Sequence, residues 1–143
     1  RFAAIEVLNN SLRTSLVGSN ANNHVIYATA NGSNPDFALG LYNNIIVGDT
    51  TDGGVTFTGA VPYSADYNLF YNLSGNYSAS GVGLPDGAND LSGQDPLFTS
   101  DILEVAPTSP AVNAGSVSNG ASSDYSGSMR PVGGGVDIGA HDQ

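Results

Sequence analysis

The chain reads as all-β, a solenoid of short stacked strands closed by an irregular C-terminal segment, and three observations predict this. A theme recurs in Val7-Leu8-Asn9-Asn10-Ser11-Leu12, Leu41-Tyr42-Asn43-Asn44-Ile45-Ile46-Val47 and Asp66-Tyr67-Asn68-Leu69-Phe70-Tyr71. Leu8-Asn9-Asn10 aligns with Tyr42-Asn43-Asn44 at an offset of 34, and Tyr42-Asn43 with Tyr67-Asn68 at 25, spacings typical of repeats that are each one supersecondary unit. Composition agrees: the 143 residues include 19 glycines and only 11% charged side chains, as many short turns between short strands require. Finally, no segment has the length and spacing of an amphipathic helix, and Ala3 to Leu8 is too short and too β-branched to count as one.

Strands are expected at Ile5 to Leu8, Val25 to Ala28, Phe37 to Tyr42, Ile45 to Val47 and Val55 to Phe57, each a β-rich run bounded by turn residues. Asparagine tolerates the left-handed backbone that a sharp corner between strands needs, and stacked corner asparagines can ladder their amides. Asn31-Gly32-Ser33-Asn34-Pro35-Asp36 reads as a turn inserted in the longer interval. From Pro85 onward the runs shorten and proline and glycine increase. Residues 1–84 are therefore read as strand-bearing coils, and 85–143 as the last coil and a capping segment of one continuous domain. The cap is expected to fold over the last coil with Leu97, Phe98, Ile102, Leu103, Val112 and Ile138 turned inward, because the end of a strand stack must be covered or blunted.

Charge narrows the partners. Thirteen acidic residues face three arginines and no lysine, for a net charge of −10. Phosphate binding needs clustered cations, so nucleic acid is not an expected partner, and no apolar run reaches membrane-spanning length. Without cysteine there is no disulfide framework. Arg1-Phe2-Ala3-Ala4 does not resemble a natural start, which suggests a mature or truncated piece of something longer.

Asp66-Tyr67-Asn68-Leu69-Phe70-Tyr71-Asn72, followed by Gly93-Gln94-Asp95-Pro96-Leu97-Phe98, then Ser109-Pro110-Ala111-Val112-Asn113-Ala114-Gly115, Asp124-Tyr125-Ser126-Gly127-Ser128-Met129-Arg130-Pro131 and Val136-Asp137-Ile138-Gly139-Ala140, occur in an order that resembles the closing part of bacterial pectate-lyase-like proteins. His141 and Asp142 replace the aromatic and acid usual at the end of the last phrase. Covering roughly residues 40–143, the resemblance implies a right-handed parallel β-helix, secreted or on the cell surface. Such proteins include polysaccharide lyases, adhesins and others, so it implies no single activity.

The residues offer little bond-breaking chemistry. The lyases this chain resembles use a Lys or Arg base, often with calcium. Arg1, Arg13 and Arg130 are far apart in sequence, and Arg130 lies in a structural phrase where its guanidinium is expected to pin the tail through carboxylates or carbonyls. Arg13 is the one candidate on a coil. Asp49 with Asp52, and Asp86 with Asp90, flank turns, where aspartate ordinarily hydrogen-bonds its own backbone. The same four carboxylates are the candidate calcium ligands, although none forms a spaced Asp-X-Asp-X-Asp-Gly loop; no other cofactor is implied. His24 reads as a turn residue and His141 as packed in the tail. Tyr63, Tyr67 and Tyr71, with Arg13, are the candidate glycan contacts, since tyrosine joins an apolar ring to a polar tip. Alternation places Tyr67, Leu69 and Tyr71 on one strand face and Asn68 and Phe70 on the other. Asn9, Asn31, Asn72 and Asn76 begin Asn-X-Ser sequons.

The expected function is a non-catalytic structural or adhesive segment, joined at its N-terminal end to upstream coils or to other copies in a particle or filament. The alternatives are the C-terminal part of a polysaccharide lyase or glycoside hydrolase whose active site lies upstream, and a glycan-binding module.

Overall fold

The computed structural model of the protein describes residues 3–14, 23–30 and 37–143. The expected inserted turn at 31–36, with its sequon at Asn31, and Arg1 lie outside the described residues. The strands run β1 (Ala3–Leu8), β2 (Ser11–Arg13), β3 (His24–Thr29), β4 (Phe37–Tyr42), β5 (Ile45–Val47), β6 (Gly53–Thr58), β7 (Tyr63–Asp66), β8 (Leu69–Tyr71), β9 (Gly75–Ala79), β10 (Val82–Leu84) and β11 (Leu91–Ser92), with no helix among the described residues.

Nearly every pairing is parallel, and it links strands three places apart. Sheet I has the order β1-β4-β7, sheet II β2-β5-β8-β11 and sheet III β3-β6-β9-β10. Consecutive triplets of strands thus form layers, and the next triplet lies in register on the last: Leu8 on Tyr42 on Asp66, and Ser11 on Ile45 on Leu69. This corrects one alignment made from sequence. The first interval of 34 stands, but the second is 24, because Asn44 faces Asn68. Tyr67 is the counterpart of Asn43, not of Tyr42. Asn9, Asn43 and Tyr67 hold one left-handed corner at φ 52°, 57° and 58°. An aromatic side chain at that position hid the true register.

One core is shared by all three sheets: Leu39 and Leu41 from sheet I, Ile46 and Phe70 from sheet II, and Val55, Phe57 and Tyr77 from sheet III. A second cluster lies on the opposite face of sheet II, where Ile45, Val47 and Leu69 meet Val105, Ala111 and Ile138 of the C-terminal segment. Covered on both faces, β5 must be apolar throughout, as its Ile-Ile-Val sequence is. The alternation expected around β8 holds for Leu69 and Tyr71 against Phe70.

The C-terminal segment departs from the expected cap. It runs along the side of the layers and reaches back to the first one. Asn43 accepts from the amide of Ser116 at 2.7 Å, Asn9 from that of Ala121 at 2.7 Å, and Ser11 Oγ from that of Ala140 at 3.1 Å. Gly139, at φ 107°, passes so close that a Cβ would lie 2.7 Å from Ile45 Cδ1 and 2.9 Å from Ser11 Oγ. Ile138 is buried as expected, but Leu97 and Ile102 are 40% and 54% exposed, because the segment covers a flank. The last layer is finished by other means. Ser80 and Gly81, both at positive φ, turn β9 back into antiparallel β10, and β11 adds only two residues to sheet II.

Candidate functional site

The most organised polar feature is the corner between sheets I and II. After each left-handed residue the chain turns an asparagine toward the interior. Asn10 donates its backbone N–H and its Nδ2 to Asn44 Oδ1 at 3.0 and 3.2 Å. Asn44 does the same to Asn68 Oδ1, both at 3.0 Å, and Asn68 to Asp90 Oδ1 at 2.7 and 3.3 Å. Asn44 and Asn68 are fully buried, so these bonds satisfy groups that would otherwise be stranded. Asp90 ends the row: its second oxygen accepts from Tyr77 Oη and the Gly87 amide, each at 2.8 Å. Burial first, and then the Asp90 charge, push the Tyr77 phenol well above its ordinary pKa, so it stays a donor.

The row points at the first layer, where, among the described residues, the strands β1, β2 and β3 each form the edge of a sheet. Burial falls off there: Ile5 is 48% exposed, whereas Leu39, its partner in register, is 5% exposed. These edges hold no proline among the described residues, and their only formal charges are on Glu6 and Arg13.

The residues singled out from sequence are dispersed. Tyr63 stacks on Phe57 with ring centroids 4.5 Å apart and belongs with the shared core. Tyr71 packs under the C-terminal segment, Tyr67 holds its corner, and Arg13 is exposed at the end of β2, so no common aromatic surface forms from them. Asp49 and Asp52 close a turn, with the Asp49 amide donating to Asp52 Oδ2 at 3.0 Å. Asp86 accepts from Asn76 and Ser92, while Asp90 serves the corner. No group of three or more candidate metal ligands occurs among the described residues. Of the sequons, Asn9 is buried under the C-terminal segment and Asn72 is exposed.

Arg130 pins the tail as expected. Its guanidinium donates to the carbonyls of Asp137 and Gly139 at 3.1 and 2.8 Å and pairs with Asp142 at 3.3 Å, both side chains being almost wholly enclosed. Burial pulls the Arg130 pKa down despite Asp142 beside it. Burial also raises that of Asp137, although its carboxylate accepts from the amides of Asn113 and Gln143. His141 packs in the tail, as read from sequence, with Nε2 3.3 Å from the Ile102 carbonyl. His24 is not a turn residue: it opens β3, with Nδ1 2.8 Å from Thr56 Oγ1, which lies 2.9 Å from Ser78 Oγ. That hydroxyl row was missed because its members are 22 and 32 residues apart and only the layer register joins them.

Asp52 is 1% exposed, and its carboxyl is held below the usual range by the Thr14 hydroxyl at 2.6 Å and then by the Asp49 amide. A carboxylate of lowered pKa contributes stability that is present above the unfolded value, near 3.8, and lost as pH falls through the folded one. Thr14→Val is therefore expected to flatten the loss of stability between neutral pH and the acid side of that value. Urea titrations at a series of pH values would show it, and an unchanged pH slope would refute the assignment.

Comparison of the chain with protein-family models, curated proteins and solved structures found no match.

Proposed function

We propose that the chain winds as a right-handed parallel β-helix and is a non-catalytic structural or adhesive segment of a secreted or surface protein, joined to further β-structure through its first layer. The observation that carries this reading is the pairing of every third strand in parallel around one core, with the first layer left as three adjoining sheet edges. Such edges template the addition of strands. The chemistry of the buried polar groups supports it too. Asp52, Asp90, Asp137, Asp142 and Arg130 are all engaged in hydrogen bonds that hold turns or the tail. A proton-transfer catalyst needs a poised group within reach of a substrate, and these are spent on the fold.

An absorbance assay for unsaturated uronates, together with a reducing-sugar assay, tests the reading on acidic and neutral polysaccharides with and without calcium. No turnover above buffer is expected. Turnover that is abolished by His24→Ala while the fold is retained would replace this reading with an enzymatic one centred on the His24-Thr56-Ser78 row.

A further inference from the structure

The corner row has a direction, and the direction specifies what can join the first layer. In each of its three steps the donors belong to the earlier layer and the acceptor to the later one. At the far end the acceptor is a carboxylate, which has no proton to pass on, so Asp90 is a stop. At the near end Asn10 spends its Nδ2 on Leu8 O and Asn44, and its Oδ1 receives no donor among the described residues. Among the described residues the first layer therefore presents Asn10 Oδ1 without a donor, together with the exposed apolar Ile5 and three strand edges.

Resting on the β-helix reading above, we infer that the first layer is a docking face for one further layer of parallel strands whose corner carries an asparagine, its N–H and Nδ2 both donating to Asn10 Oδ1. A second copy of this chain does not fit. Stacked head to tail, it would set the Asp90 carboxylate against Asn10 Oδ1, acceptor on acceptor, and bring the antiparallel β10 to a parallel edge. Stacked head to head, it would set the strands of two first layers antiparallel, whereas β1, β2 and β3 each pair in parallel with the layer beyond them. The polarity of the row thus favours extension by upstream coils over the filament of identical copies that the sequence also allowed.

The test is the full chain extended before Arg1 by a duplicate of residues 37–62, which brings a copy of Asn44 to the new corner, and the same extension carrying Asn44→Asp in the duplicate. Amide hydrogen exchange of β1, β2 and β3 is expected to slow at least about tenfold with the asparagine extension and to stay near the rate of the unextended chain with the aspartate one. Equal protection by both, or by neither, would overturn the inference. Protection of β4 to β6 in the unextended chain reports separately on the β-helix reading. Light scattering of the unextended chain across a concentration series is expected to give the single-chain mass throughout, and growth into rods would overturn the exclusion of a second copy.

Discussion

Replacing Asn68 with leucine is expected to destabilise the protein by about 4 kcal/mol, since each buried group left without a partner costs roughly 1–3 kcal/mol. Asn68 is 0% exposed, and its amide is a junction. Its Oδ1 takes both donors of Asn44, and its Nδ2 serves the Leu41 and Asp66 carbonyls, at 2.9 and 3.2 Å, and Tyr77 Oη at 3.1 Å. Leucine keeps the branched outline of asparagine but is larger, so the loss adds some overpacking to the unmade hydrogen bonds. The same change at Asn10, half-buried on the first layer, strands fewer groups and is expected to cost about 1 kcal/mol. Urea denaturation of the two variants measures the contrast. Equal effects would show that the row does not carry the stability assigned to it.

Arg130→Met is expected to cost about 3–5 kcal/mol, the range for breaking an enclosed ion pair and leaving its partner charged. For a chain of this size that is a fall in Tm of roughly 10–17 °C. The guanidinium joins Asp142 to two carbonyls of the final stretch, and that stretch carries Ile138 onto Ile45 and Leu69. Freeing it should bare the outer face of sheet II, which binding of an apolar dye would report. Asp142→Asn together with Arg130→Met should cost less than the two single changes summed, because neither charge is then left alone. A change under about 1 kcal/mol for Arg130→Met would mean that the tail holds without its pin.

Much of this architecture was legible in the residues, and the exceptions have physical causes. The apolar runs at β1, β4, β5 and β6 and the asparagine corners follow from local chemistry: β-branched residues suit a pleated strand, and asparagine suits a left-handed turn. The role of Arg130 was legible because a lone arginine in a tail of glycine, proline and aspartate has few other partners. The second repeat was misaligned by one residue because Tyr67 occupies a conformation that aromatic side chains rarely adopt, so the matching Tyr-Asn pair pointed to the wrong register. The β9–β10 hairpin was missed, although Ser80-Gly81 between short β-rich runs was its signal. The lateral course of the tail could not be read at all, because it depends on hydrogen bonds spanning 112 and 129 residues. Two of the candidate glycan contacts, Tyr63 and Tyr71, lie on different sheets and pack against different clusters, which their closeness in sequence does not reveal.

Successive turns of the backbone that lie on one another in parallel put Asn10, Asn44 and Asn68 in one column. Through-space proton contacts between the side-chain amides of these three residues test it most directly, in a uniformly labelled sample with each asparagine assigned. Contacts of Asn44 with both Asn10 and Asn68, and none between Asn10 and Asn68, are expected from this arrangement. Contacts placing β4 antiparallel to β7, or Asn44 beside neither asparagine, would contradict it.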